Sequence, residues 1–315
     1  MKQDKILIVG TGALGSFYGA LLSKAGAEVS VVCRSDYSTV KQHGFEIKSD
    51  VLGNWRFKPS QVLKSTTEYK GQADYLLLCS KVIPEIDRIE LIKPAVSAKT
   101  RITLIQNGVE IEQPLIKAFP DNEIISGLAF VCCNRVAPAL THHLAYGKLT
   151  LGNVDESEHR PNGAQHLADL INKAGIEAIV SEQIIKDRWL KCLWNAPFNP
   201  LSVLSGGLST ADILSTQEPL IRTIMQEVMQ IAKACGHPLA MDSIETNIQN
   251  TYAMPPYKTS MLLDYERHHS MEIEAILGNT LTAAKRENIP CPTLDTLYSL
   301  MKLIELKAKN KQKQQ

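Results

Sequence analysis

The chain has 315 residues, enough for two domains with separate cores, and its 34 Lys and Arg against 33 Asp and Glu leave a formal charge of +1. That balance gives no footing for nucleic acid or an anionic membrane surface, and no apolar run approaches a membrane span. The start, MKQDKILIVG, lacks a signal-peptide core and cleavage site, and the seven cysteines are scattered without a C-x-x-C, so the expectation is a cytoplasmic protein whose thiols are small buried hydrophobes.

Ile6, Leu7, Ile8 and Val9 form a short run that is apolar on both faces, as a strand buried in a parallel sheet must be. It runs directly into Gly10-Thr11-Gly12-Ala13-Leu14-Gly15, which has the G-x-G-x-x-G spacing. Apolar residues then recur at helical intervals (Leu14, Phe17, Tyr18, Leu21, Leu22) as far as Gly26, a C-cap, and a second β-branched run follows at residues 29–32. A glycine-rich turn by itself needs no ligand. The order strand, glycine turn, helix, strand is what makes this one a dinucleotide fingerprint. In that reading Gly10 serves the tight turn, Gly12 the approach of a pyrophosphate and Gly15 close helix–strand packing, with the phosphates at the helix N-terminus.

The second strand ends Cys33-Arg34-Ser35, with no acid before Asp36. NAD sites place a carboxylate at this point to hold the ribose hydroxyls, whereas a guanidinium binds a 2′-phosphate through a charge-assisted fork. Arg34 is either that fork, which makes NADP(H) the expected cofactor, or a solvated strand end.

A polar helix to His43 comes next, then a strand pair at 45–48 and 55–58 turning at Gly53-Asn54. Residues 75–79 read as another buried strand, and Lys81 stands just past its carboxyl end, where open α/β sheets bind ligands. Cofactor contact and plain solvation are both open for it. Residues 101–105 form a strand ending in Gln106-Asn107-Gly108; Asn-Gly is a turn signal, and its position gives the Asn107 amide a second reading as a ligand group. Antiparallel strands are expected within 123–153, a helix at 161–174, and a closing strand at 177–180. Beyond 183 the alternation stops and helical periods run over 184–195, 218–235, 271–288 and 293–307. The polar tail 307–315 reads as frayed. The fold class is α/β: an N-terminal Rossmann-type dinucleotide-binding domain, residues 1–182, followed by an all-helical C-terminal domain, residues 183–315.

Within the helical half, Lys191, Asn195 and Asn199 fall at i, i+4 and i+8 on one helix face in an otherwise apolar segment. Buried polar groups need partners, so these three either bind a polar, anionic ligand or tie two helices together. Pro197 is expected to kink or end that helix. Glu272 reads as a partly buried helical carboxylate, with Lys191 as its candidate cation. The pairs His142-His143 and His268-His269 lack metal-ligand spacing, so no metal is expected.

These motifs together resemble the ketopantoate reductase (2-dehydropantoate 2-reductase) family. The matching residues run the whole length: the glycine turn, Lys81, Asn107-Gly108, Lys191-x-x-x-Asn195-x-x-x-Asn199-Pro200-Leu201, Ser260-Met261-Leu262-x-Asp264, and Glu272-Ile273-x-x-Ile276-x-Gly278. The glycine turn is shared with many families, while the lysine–asparagine and serine motifs are far more specific. The resemblance implies NADPH-dependent reduction of a small 2-keto acid, ketopantoate, to pantoate on the route to coenzyme A. It makes Lys191 the general acid, with Glu272 beside it and the cofactor. It also makes Asn195, Asn199 and Ser260 substrate-binding and puts Asn107 between substrate and nicotinamide; Lys81 joins the cofactor-binding set. A different branched 2-keto acid, or NADPH binding without turnover, are the competing readings. Ser209 and Tyr257 depart from the pattern, standing where some members carry asparagine. No nucleic-acid or membrane partner is expected, and a homodimer is the assembly to test.

Overall fold

A computed structural model describes residues 3–155, 162–254 and 258–313, with side chains as far as residue 310. The chain divides into two compact units. One comprises Met1–Lys81, Ile86–Gln106 and Glu112–Ile184, and the other Val82–Glu85, Asn107–Ile111 and Ile185–Gln315.

The first unit is built on a single ten-stranded sheet. Its strands are β1 (Lys5–Val9), β2 (Glu28–Val32), β3 (Phe45–Ser49), β4 (Trp55–Phe57), β5 (Val62–Leu63), β6 (Tyr75–Leu78), β7 (Arg101–Ile105), β8 (Ile124–Ala137), β9 (Leu140–Asn153) and β10 (Ala178–Val180). Six of them pair in parallel in the order β5-β2-β1-β6-β7-β8. That is the doubly wound arrangement, whose strand order reverses between β1 and β6 and leaves a ligand crevice at the carboxyl ends of those two strands. The remaining edge is antiparallel at β8–β9 and β3–β4 and parallel at β3–β9. β1 and β6 are apolar on both faces because helices cover the sheet. Helices α1 (Ala13–Lys24), α2 (Tyr37–His43), α3 (Arg88–Ile92), α4 (Gln113–Ala118) and α5 (Gly163–Lys173) complete this unit. Its core gathers Ile6, Ile8, Phe17, Tyr18, Leu21 and Tyr75 at no more than 1% exposure.

The expected strands in 123–153 run longer than their propensities suggest. β8 and β9 have fourteen residues each, joined through Pro138 and Ala139, with Ala139 at φ 57°. His142 and His143 point to opposite faces: His142 meets Asp50 at 2.9 Å, while His143 is buried between Ser49 and the Tyr146 carbonyl.

The second unit is helical: α6 (Ile184–Leu204), α7 (Thr210–Ala234), α8 (Ser243–Ala253), α9 (Ser260–Glu266), α10 (Asn279–Arg286) and α11 (Pro292–Lys313), with a π-helical turn over Glu274–Gly278. Four expectations need correction. Pro197 neither ends nor breaks α6, which runs on through Pro197 and Pro200. Each proline withholds one backbone donor, but Phe198, Ala196 and Val203 bury the helix too deeply for that loss to unravel it. The helix expected from 218 begins at Thr210, and the non-helical Gln217 (φ −131°) marks where Pro219 disturbs it. Glu272 is not inside a helix. The turn closed by His268 N–H to Tyr265 O and His269 N–H to Asp264 O delays helix entry until Ile273. The tail is helical to Lys313, held in part by Lys309 against Glu305 and Glu85 at 3.3 and 3.2 Å. The helix expected at 161–174 is observed from Gly163; Pro161 lies outside the described residues, as does Tyr257.

Candidate active site

In the first unit, β1 delivers the chain into Gly10, whose φ of +94° suits glycine and whose backbone passes so near Ser80 that a Cβ would lie 2.5 Å from that amide nitrogen. A Cβ on Gly15 would meet the Gly10 carbonyl at 2.1 Å, so the helix approaches the strand only because the side chain is absent. Gly12 differs: nothing lies within 4 Å of where its Cβ would stand. It is the N-cap of α1 and supplies no side-chain acceptor to the first-turn amides. Open space in front of unsatisfied N–H groups at a helix N-terminus fits the pyrophosphate of a dinucleotide. Thr11, Ala13 and Leu14 complete this turn; the Ala13 carbonyl accepts from the Ser16 hydroxyl at 3.2 Å.

Arg34 follows β2, is exposed, and forms no ion pair among the described residues. Asp36, the nearest acid, is buried at 3% exposure and turned to its own partners. Arg135 Nη1 lies 3.1 Å away, and the Ser35 hydroxyl and the Ala139 amide also donate to it. The carboxylate that follows β2 is therefore already neutralised. Past β6, Lys81 is half-exposed, and Gln106 donates to the Ser80 carbonyl while accepting from Arg88 at 3.1 Å.

In the second unit, Lys191, Asn107 and Glu272 come together. Lys191 Nζ donates to Asn107 Oδ1 at 3.0 Å, and Asn107 Nδ2 donates to Glu272 Oε2 at 3.0 Å. The Val82 amide donates to Glu272 Oε1 at 3.0 Å. The amide of Asn107 thus bonds both the ammonium and the carboxylate that were expected to pair. Asn107 is held by its neighbours. Gly108 has φ +107° and would bring a Cβ within 2.5 Å of the Ala275 carbonyl; Val109 N–H donates to that same oxygen, and Asn279 caps the Val109 carbonyl. The Ala275 carbonyl belongs to the π-helical turn, a distortion that recurs at functional sites.

Arg188, which the motif reading did not single out, is 2% exposed and donates Nη1 to the Gly108 carbonyl at 3.0 Å. Its signal was available: a cation three residues before Lys191 on the same face of an apolar helix. Gly108, Arg188, Lys191, Cys192, Asn195 and Ile276 line one small pocket. Burial, reinforced by the Arg188 charge, lowers the Lys191 pKa from 10.5 to about 8, with Glu272 pulling the other way. Asn199 is buried one turn beyond Asn195 and does not line this pocket. Its carbonyl accepts from Ser202, whose hydroxyl meets Thr259 at 2.6 Å; Thr259 caps α9, where Ser260 is the first, exposed residue. Ser209 caps α7 in a reciprocal box with Asp212.

The strand order and the glycine turn define a dinucleotide-binding protein of Rossmann type. Residues 6–156 match the family described as "Ketopantoate reductase PanE/ApbA", and residues 183–305 match its C-terminal domain. A 2-dehydropantoate 2-reductase of Nostoc is 31% identical over 309 residues, 97% of this chain and 96% of that protein. The crystal structure of 2-dehydropantoate 2-reductase from Methylococcus capsulatus superposes with a TM-score of 0.91 at 52% identity, over 96% of this chain and 97% of that one. D-mandelate dehydrogenase bound to NADH and anilino(oxo)acetate shares the fold at TM-score 0.87 and 23% identity, over 97% and 99% of the two chains. The chain belongs to the ketopantoate reductase family.

Proposed function

We propose that the protein reduces 2-dehydropantoate (ketopantoate) to pantoate with NADPH, Lys191 acting as general acid. The observation that carries this reading is the Lys191–Asn107–Glu272 chain, in which a lysine of lowered pKa is aimed by an amide that a carboxylate in turn orients. The glycine turn and Arg34 would hold the dinucleotide, and Lys81 and Asn107 belong to the same proposed cofactor set. Bound NADPH supplies the hydride. As it reaches the keto carbon, negative charge grows on the carbonyl oxygen; the Lys191 ammonium stabilises that charge and then transfers its proton to it. Glu272 and Asn107 keep the ammonium in one orientation, so little reorganisation is left for the transition state. Asn195, Asn199 and Ser260 offer neutral donors for the substrate carboxylate and hydroxyl.

NADPH is favoured over NADH because Arg34 is exposed and uncommitted while Asp36 is paired off with Arg135. A family member carrying cytoplasmic coenzyme A chemistry also suits seven free cysteines.

The test is direct: purified protein, NADPH and ketopantoate, followed by loss of NADPH absorbance. Turnover with ketopantoate is expected, and Lys191→Ala should reduce kcat by roughly 10²–10⁴-fold with NADPH binding unchanged. Turnover confined to another branched 2-keto acid would move the substrate assignment. NADPH binding without turnover of any keto acid would make the chain a sensor.

A further inference from the structure

The carboxyl end of β2 carries more positive charge than Arg34 alone. β5 lies beside β2 in parallel register, Val32 opposite Leu63, and Cys33 N–H donates to the Leu63 carbonyl at 2.9 Å. Arg34 and Lys64 therefore leave adjacent strands at the same end of the sheet, each one residue past that hydrogen bond. Lys64 Nζ stands 4.9 Å from the centroid of the Tyr37 ring, and Lys41 Nζ stands 5.3 Å from the same centroid while donating to the Tyr37 hydroxyl at 3.0 Å. One phenol gathers two ammonium groups, which repel each other.

Among the described residues, none of these three cations forms an ion pair. Of the acids nearby, Asp36 takes Arg135, while Glu68, which accepts from the Lys64 backbone amide at 3.0 Å, acts on Lys41 through its charge. The loop bearing Lys64 is also fixed. Ser65 accepts from the Thr67 amide, and the buried Thr66 hydroxyl donates to the Leu91 carbonyl at 2.7 Å. Three cations against the single charge of Glu68 leave this strand end net positive, which fits a dianionic group, the more so because the loop geometry is set before the ligand arrives.

We propose that Lys64, together with Lys41 steadied on Tyr37, forms a second cationic contact for the 2′-phosphate of NADPH opposite Arg34, so that cofactor choice is shared by two strand ends. This rests on the NADPH reading above and extends it to residues that no glycine or arginine motif marks.

The experiment measures dissociation constants of NADPH, NADH, 2′,5′-ADP and 5′-AMP for the wild type, Lys64→Gln, Lys64→Arg and Arg34→Ala, at low and moderate salt. Both side chains replaced are exposed, and their substitution leaves the core untouched. Lys64→Gln is expected to weaken NADPH and 2′,5′-ADP by about tenfold, to leave NADH and 5′-AMP within a factor of two, and to flatten the salt dependence of NADPH binding. Lys64→Arg should restore most of the loss. If Arg34→Ala abolishes the NADPH preference while Lys64→Gln leaves it intact, the lysine contact is refuted and the NADPH reading stands. If neither substitution changes the ratio of NADPH to NADH affinity, the NADPH reading itself falls. Equal losses for NADPH and NADH in Lys64→Gln also overturn the proposal, because such a lysine would serve the part common to both cofactors.

Discussion

A lysine whose pKa is brought down to about 8 still carries its proton at neutral pH and gives it up under mildly alkaline conditions. The acid form is the one the proposed reaction consumes, so activity belongs below that value. kcat should be level near pH 7 and fall roughly tenfold for each pH unit above about 8. Arg188 is part of the cause, since its charge adds to burial in disfavouring the ammonium. Removing that charge should move the alkaline limb to higher pH. A kcat profile of Arg188→Met that overlays the wild type would separate the two side chains electrostatically. Arg34 gives the second prediction at this scale. Arg34→Ala should cost NADPH on the order of 1.5–3 kcal/mol of binding and NADH little, as read by titration of both cofactors.

At the scale of elements, Ser209 has a structural task. Its hydroxyl accepts from the Asp212 amide and its own amide reaches back to the Asp212 carboxylate. Ser209→Ala should lower stability by about 1 kcal/mol in a denaturant melt, with kcat/KM for the keto acid unchanged. A loss of kcat/KM at full stability would instead put Ser209 in the pocket.

The elements also show what could be read from the residues and what could not. β1, α1, β2 and β6 were legible because burial on both faces leaves an unbroken apolar record. The Phe45–Ser49 and Trp55–Phe57 pair was legible from its glycine turn. The length of β8 and β9 was not, because their distal halves are partly exposed and their pairing slips at three places, which blurs a period of two. α8 and α9 escaped because Ser243–Ala253 is only weakly amphipathic and Ser260–Glu266 has seven residues. α6 was underestimated for a different reason. Proline was weighed as a local breaker, and the packing that overrides it is tertiary. In the candidate site, the residues brought Lys191 and Glu272 to notice as a candidate pair and Asn107 apart from them, through its turn at a strand end. That Asn107 stands between the other two depends on Gly108 fitting against Ala275, a contact between residues 167 apart in number and invisible to any local pattern.

For the molecule as a whole, substrate choice is the sharpest measurement. Ketopantoate carries a terminal hydroxyl that 3,3-dimethyl-2-oxobutanoate lacks, and a site that spends an amide on that hydroxyl leaves it unpaired with the analogue. kcat/KM should favour ketopantoate by at least ~100-fold, and Asn199→Ala should narrow the gap. Equal use of the two acids would point to a different natural substrate.

The composition of the second unit also limits how this gene can recombine. Val82 and Asn107 are encoded far upstream of Lys191 and Glu272, with Asn107 and Glu272 separated by 165 residues, yet all four belong to that unit. A single crossover with a distant homologue near residue 184 would inherit the lysine and the glutamate from one parent and their amide partners from the other. Such hybrids should fold with impaired turnover when the parents differ over 82–85 or 107–111. Hybrids that transfer those two short segments along with 185–315 should recover it. Inheritance in this chain follows three separated stretches of sequence, and a breakpoint placed by the helical run alone would cut through one structural unit.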